Sequence, residues 1–232
     1  VDTLRGHFRF SEAAERDISI ELDPRFVDAD DIAALGRIGF NRASFGVQDF
    51  DPAVQAAVNR IQSVEQTRAV VDACRAHGFR SVNVDLIYGL PDQTVEGFAR
   101  TLDTVSRMRP DRVAVYGYAH MSYLFKPQKQ LDASLLPSGE TNRELLQLAI
   151  DKLTTAGYVY IGMDHFALPD DDLAQAQERG TLHRNFMGYT THAETDLVGL
   201  GVSAISHIGD SFSQNPRDLP SWQMALDEGR LP

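Results

Sequence analysis

Five β-patterned segments of this chain carry polar residues at or near their carboxyl ends, and those residues could do chemistry. In SVNVDLIYGLP, from Ser81 to Pro91, the residues Val82, Val84, Leu86 and Ile87 favour a buried strand, while Gly89 and Pro91 stop it. Asn83 and Asp85 interrupt that run, and a buried carboxylate is costly unless something pairs with it. Either Asp85 caps a neighbouring loop or pairs with an arginine, or its strand delivers it to a site. Four other segments repeat the design: DISIELDP (17–24) with Glu21, FNRASFGVQDF (40–50) with Gln48 and Asp49, RVAVYGYAH (112–120) with His120, and YVYIGMDHF (158–166) with Asp164 and His165. Such a set suits a polar cofactor. Carboxylates at Glu21 and Asp85 match ammonium and hydroxyl groups, and Gln48 and Arg60 match a carboxylate, the arginine bidentately.

Other chemistries fit less well. The seven histidines form no HExxH, and none lies four residues from another His or Cys. There is no GxSxG elbow for a serine hydrolase. Glu21, Asp85 and Asp164 could supply a carboxylate pair for glycoside hydrolysis on a barrel rim. The run LVGLGVSAISHIGD (197–210) lacks both the dinucleotide fingerprint and a P-loop lysine. Its glycines Gly199, Gly201 and Gly209 imply that the backbone passes close to something there.

The elements that must position these residues alternate strand with helix. A strand soon follows Val1. Asp28 or Asp30 caps a helix carrying Ile32, Leu35 and Ile38, and Gly39 ends it. Helical sequence runs from Pro52 to His77 with a break near Arg60–Ser63. Thr94 caps a helix whose buried face is Phe98, Leu102, Val105 and Met108. A long helix follows from about Ser138 to Ala156, Leu168–Gly180 is an acidic helix entry, and a last helix covers Leu219 to Gly229. This alternation predicts βαβ units and an α/β fold with a parallel sheet, whose sites form at the carboxyl ends of the strands. Strands are expected at 18–22, 41–47, 82–88, 112–118 and 158–163, adjacent and parallel, with helices on one side only.

With 232 residues, 43% of them hydrophobic, the chain can bury one sizeable core. Its net charge of −11 argues against a nucleic-acid surface, and an anionic substrate would need a locally basic pocket. The lone Cys74 excludes a disulfide framework, lies in a helical pattern as a buried hydrophobe and fits a reducing cytosol. No run approaches the roughly 20 apolar residues of a membrane span.

The segments ISIELDP, FNRASFGVQDF, AVNR, NVDLIYGLP, YGYAH, YIGMDHFALPDDDLA, LHRNFMGYTT and GVSAIS, in this order, resemble the oxygen-independent coproporphyrinogen III oxidases, radical S-adenosylmethionine enzymes of haem biosynthesis. GVQDF and NVDLIYGLP are shared with the wider superfamily, including haem-chaperone proteins, whereas GMDHFA and HRNFMGYTT are more specific to the oxidases. The resemblance implies a partial (β/α) TIM-like radical-SAM barrel and a [4Fe–4S] cluster held by CxxxCxxC. It also implies two S-adenosylmethionine molecules and a 5′-deoxyadenosyl radical that oxidatively decarboxylates coproporphyrinogen III propionates to vinyl groups. By position in the matching motifs, Glu21, Gln48, Arg60, Asp85, Ala119 and Ile205 correspond to S-adenosylmethionine contacts, with Ile87, Phe186 and Met187 beside them. Arg184, Lys126 and Lys129 are candidates for the substrate's propionates on charge alone. The electron acceptor is left unassigned, and a cytoplasmic monomer is expected.

Departures from the family pattern are equally specific. The chain has no CxxxCxxC, so the cluster ligands are expected upstream of Val1 and no metal ligand is assigned within it. Residues 1–210 are expected to form an incomplete barrel portion, with 211–232 beginning the connection to a carboxyl-terminal domain. Met187 stands where HRNFQGYTT would place glutamine, removing two donors and an acceptor. The alternative function is a haem-binding or haem-transfer protein on the same barrel without oxidase activity.

Overall fold

Local signals in the chain translate directly into elements. In the computed structural model, which describes residues 1–13, 16–193 and 195–232, a helix α1 (Asp2–His7) precedes β1 (Ser19–Leu22), α2 (Ala29–Ile38) and β2 (Arg42–Gln48). There follow α3 (Pro52–Ala57), α4 (Val64–Ala76), β3 (Ser81–Tyr88), α5 (Val95–Met108), β4 (Arg112–Gly117) and α6 (Gly139–Thr155). The Asp28 carboxylate accepts from the Asp30 and Asp31 N–H groups while Asp31 reaches back to the Asp28 N–H, a complete capping box for α2. Thr94 and Ser138 cap α5 and α6 in the same sense, and Gly39 ends α2 with φ 110°. The expected opening strand is instead α1, six residues ending in a basic turn.

The strands β1, β2, β3 and β4 lie side by side in chain order, each parallel to the next. A sheet that grows in one direction without reversing is the arrangement of a barrel wall rather than of a doubly wound sheet. Period-two alternation splits its two faces. Phe45, Val47, Val82, Val84, Leu86, Val113 and Val115 face the core, where they meet Ile32 of α2, Val70 and Val71 of α4, Phe98 and Leu102 of α5, and Leu145 and Leu153 of α6. Each of these large side chains contributes about 1.5–3 kcal/mol by leaving water. The opposite face presents Glu21, Ser44, Asn83, Asp85 and Tyr116, so the chemistry-bearing residues share the side that those four helices leave open.

The segment 158–166 departs from the expectation of one parallel strand. It is a hairpin of β5 (Val159–Gly162) and β6 (His165–Ala167), and β6 inserts antiparallel between β4 and β5. Two loop residues suffice because Gly162 (φ 131°) and Met163 (φ 49°) adopt left-handed backbone. The Val115 N–H donates to the Asp164 carbonyl at 2.7 Å, fixing the turn on β4. Ile161 and Phe166 are both buried, so apolar residues stand on either side of the turn and the segment reads as one strand.

Helices on one side only is a second expectation that gives way. The helix α7 (Asp172–Glu178) starts on the polar side, at the amino ends of the strands. Its cap Asp171 accepts from Arg112 Nε at 2.9 and 2.8 Å and from Ser81 Oγ at 3.3 Å, and Asp172 pairs with Arg42. Asp17 takes the other side of Arg42 at 2.6 Å.

The chain divides into two compact units, Val1–Arg179 and Gly180–Pro232. The second unit holds two antiparallel hairpins, β7 (His183–Asn185) with β8 (Gly188–Thr190) and β9 (Ile205–Ile208) with β10 (Ser211–Gln214), followed by α8 (Leu219–Asp227). Gly199 is required by its own chain. A Cβ there would lie 2.6 Å from the Ile205 carbonyl oxygen, so the close approach inferred from the glycines is made to backbone.

Candidate functional site

Gly46 is the centre of the polar constellation on the first unit. It faces Asp85 across the β2–β3 ladder, and the register shifts between Gly46 and Gln48. That irregularity, with Gln48 at φ 68°, re-aims the Gln48 side chain. A Cβ built on Gly46 would meet Gln48 Nε2 at 2.8 Å and Arg60 Nη2 at 3.0 Å. Two donors thus close on the spot opposite Asp85, and only glycine leaves room for them.

Asp85 is held by neutral donors. Ser44 Oγ donates to its Oδ2 at 3.0 Å, and Asn83 Nδ2 donates to its Oδ1 at 2.8 Å and to Ser44 Oγ at 3.0 Å. Among the described residues no cation pairs with it. Burial pushes the Asp85 carboxyl up, the Asn83 hydrogen bond pulls it down, the Glu21 charge raises it again, and Ser44 lowers it. Tyr116, further along the same face, is pushed up to about 12 by burial and by the charges of Asp85, Glu21 and Asp164. This end of the face therefore carries negative potential that suits an ammonium group or hydroxyl donors.

Arg60 comes from the connection between α3 and α4. Its Nη2 donates to the Gly46 carbonyl at 2.5 Å and pairs with Asp23 at 3.2 Å. Asp23 is held below the usual carboxylate range first by its hydrogen bond from Arg25. Burial lowers the Arg60 guanidinium, and the Asp23 charge works against that. Gln48, Arg60 and Ile87 line one cavity of about 320 Å³, together with Leu90, Tyr118 and Leu131. Its apolar walls suit a flat ring, with the polar groups of Gln48 and Arg60 at hand.

The remaining expected residues take other positions. Ala119 lies just beyond β4, where its carbonyl accepts from Gln128 Nε2 at 3.1 Å. Ile205, Phe186 and Met187 belong to the second unit. Ile205 opens β9, Phe186 meets Phe212 edge-on at 6.4 Å, and the Met187 N–H donates to Asn185 Oδ1 at 2.8 Å while its side chain is exposed. Asp49, at the end of β2, is scaffold: buried, it accepts from Gln93 Nε2 at 2.6 Å and from Thr101, and Gln93 in turn accepts from the Gly89 N–H. His120 pairs with Tyr118 at 3.2 Å, and His165 meets Tyr116 edge-on. Sequence reasoning did not assign Ser44, Asn83, Tyr116 or Gln128. Asn83 shares the strand parity of Asp85, which was the available signal, whereas Ser44 and Tyr116 join the face only through the register of β2 and β4.

An iron–sulfur cluster does not fit this chain's own residues. Cys74, the single cysteine, is fully buried, and burial pushes its thiol up to about 12. Among the described residues no group of three His, Cys, Asp or Glu is arranged to hold a metal ion.

Known proteins resemble this chain along its whole length. The Radical SAM superfamily profile matches residues 2–105. The oxygen-independent coproporphyrinogen III oxidase of Pseudomonas aeruginosa is 55% identical over 231 residues, covering 100% of this chain and 50% of that protein. The Escherichia coli protein of the same name is 51% identical over 225 residues, 97% of this chain and 49% of that one. The solved structure of coproporphyrinogen III oxidase from Escherichia coli, described as a radical SAM enzyme, superposes with a TM-score of 0.95 at 49% identity, over 99% of this chain and 52% of that one. The chain belongs to the oxygen-independent coproporphyrinogen III oxidase family. It spans about half the length of these relatives. Within the family fold, β1–β4 supply the parallel wall of a partial radical SAM barrel, and among the described residues no helix is long and apolar enough to cross a membrane.

Proposed function

We propose that this chain is the barrel portion of a cytosolic radical S-adenosylmethionine oxidoreductase that oxidatively decarboxylates coproporphyrinogen III, with 1–210 contributing to its site. The observation that carries the reading is Asp85, a part-buried carboxylate held by Ser44 and Asn83 and paired with no cation among the described residues. Such a group suits donors that a ligand brings. Glu21 and Asp85 would meet the ammonium and ribose hydroxyls of S-adenosylmethionine. Gln48 and Arg60 would meet its carboxylate, Arg60 keeping one face on Gly46. Ile87 would pack on the adenine, with Ala119 contributing backbone, and Ile205, Phe186 and Met187 would serve a further S-adenosylmethionine.

When bound beside a [4Fe–4S] cluster with ligands outside this chain, S-adenosylmethionine supplies the radical that takes a hydrogen atom from a propionate. Carbon dioxide then leaves, a vinyl group remains, and one electron passes to an acceptor. The residues of this chain bind, orient and keep water from that chemistry. The experiment is a calorimetric titration of S-adenosylmethionine into the protein and into Asp85→Asn. A charge-assisted hydrogen bond is worth about 1.5–3 kcal/mol, so the variant should bind about ten- to a hundredfold more weakly. Equal affinity in both proteins would remove Asp85 from the site.

A further inference from the structure

Gln48 sits at the centre of a strained turn. Its φ is 68°, and the Asp49 N–H donates across it to the Val47 carbonyl at 2.9 Å, so β2 ends in a γ-turn of the rare positive-φ form. Such backbone persists only where its surroundings over-determine it. Buried glutamines do so from both sides of Gln48. Gln62 Nε2 donates to the Val47 carbonyl. Gln55 Nε2 donates to the Asp49 carbonyl at 2.9 Å and to the Gln62 carbonyl at 3.0 Å, while its Oε1 accepts from the Gln62 N–H at 3.2 Å. Gln93 Nε2 holds the Asp49 carboxylate at 2.6 Å. None of these glutamines is more than 6% exposed.

Stability explains Gln62 least well. Among the described residues its Oε1 is buried with no hydrogen-bond partner, a cost that an apolar side chain of the same length would not carry. What its amide contributes is one donor on the carbonyl just before Gln48. Arg60 does not depend on that donor. It is anchored separately, by the Gly46 carbonyl, by Asp23 and by its own N–H on the Gln55 carbonyl at 2.8 Å.

We propose that Gln62 is a positioning residue: it keeps the γ-turn closed, and so holds the Gln48 amide over Gly46 before a ligand's carboxylate arrives. This rests on the function proposed above and adds how that site is preorganised. Preorganisation raises affinity because the free protein already carries the ordering that binding would otherwise require.

Gln62→Met keeps the length of the side chain and removes the donor. S-adenosylmethionine should bind this variant about tenfold more weakly, the equivalent of one hydrogen bond. Its melting temperature should move by no more than about 4 °C. Gln48→Gly should also bind about tenfold more weakly, yet melt at or above the parent's temperature, because glycine takes positive φ without strain. In the Gln48→Gly background, Gln62→Met should change affinity by less than about twofold, since the turn has no side chain left to aim. A residue that merely supported the fold would give the same loss in both backgrounds. Hydrogen exchange without ligand, read over the peptide carrying Gln48, Asp49 and Phe50, should be about tenfold faster in Gln62→Met than in the parent. Equal affinity in Gln62→Met and the parent, equal losses in the two backgrounds, unchanged exchange, or a Gln48→Gly protein that melts below the parent would each overturn the assignment. A parent protein that does not bind S-adenosylmethionine counts against the proposed function, and the hold of Gln62 on the turn is then decided by the exchange rates alone.

Discussion

Ser44 and Asp85 are joined across the β2–β3 ladder by a 3.0 Å hydrogen bond, and Asn83 bonds to both. Neutral donors hold the carboxylate in position without cancelling its charge. An arginine in their place would stabilise Asp85 more and leave it less to offer a ligand.

Asp85 also costs stability at neutral pH. Its folded-state pKa is raised, chiefly by burial, so the folded form holds its proton to higher pH than the unfolded chain. Below the ordinary aspartate range both states are protonated and no penalty exists. The penalty enters as pH rises through that range and is complete above the raised value. Asp85→Asn should therefore melt at the same or a higher temperature than the parent at pH 7, with the difference closing near pH 3.5–4. A drop in melting temperature at pH 7 would show that Asp85 is a scaffold residue.

Gly46→Ala tests the crowding around the site. Gly46 has no left-handed backbone requirement, so the new methyl acts only through space. It would meet the mobile ends of Gln48 and Arg60 and displace them. Melting should move by less than about 1 kcal/mol, as for changes absorbed at flexible side-chain ends. S-adenosylmethionine affinity should fall by about tenfold, a single hydrogen bond's worth.

At the opposite end of the strands, Arg112→Met leaves Asp171 without its cation. The Asp171 side chain is 5% exposed, and breaking a buried pair from one side costs about 3–5 kcal/mol. Some water reaches Arg112, so the lower figure is expected in urea titration. Asp171→Asn should cost less, because the amide still accepts from Arg112. A loss below about 1 kcal/mol for Arg112→Met would class the pair with surface ion pairs.

Cys74 should be inert. With its thiol buried and pushed up to about 12, it should not react with Ellman's reagent at pH 8 in the native protein, and should react fully in 6 M guanidinium. Rapid native labelling would mean that α4 opens readily.

The parallel wall was legible because its signals are local. Alternation marks β1–β4, and Asp28, Thr94 and Ser138 announce their helices within four residues. The β5–β6 turn was hidden because Met163-Asp164 lacks the usual Asn-Gly chemistry and because buried apolar residues, Ile161 and Phe166, stand on both sides of it. The role of Asp49 was equally invisible, since Gln93 and Thr101 reach it from beyond the next strand. For the site, Asp85 stood out because a carboxylate interrupts an apolar run. Asn83 was visible as a second break in that run, but Ser44 was not, because a small polar residue in a strand is ordinary until its neighbours are known. The pairing of Arg60 with Asp23 depends on two loops meeting, which no short-range pattern encodes.

The ion-pair network around α7 makes the barrel wall mechanically asymmetric. Asp171 and Asp172 tie Arg42, Ser81 and Arg112, and so fasten β2, β3 and β4 at their amino ends. At the carboxyl ends Arg60 ties Asp23, just beyond β1, to the Gly46 carbonyl of β2, but among the described residues no ion pair reaches β3 or β4, which are joined to β2 there through Ser44, Asn83 and Asp85 and the ladder itself. A wall clasped at one rim and loose at the other should flex like a fan. Amide hydrogen exchange is then slowest near Val82 and Val113 and quickens towards Tyr88 and Gly117, so the fluctuations a ligand would damp are concentrated at the rim where it arrives.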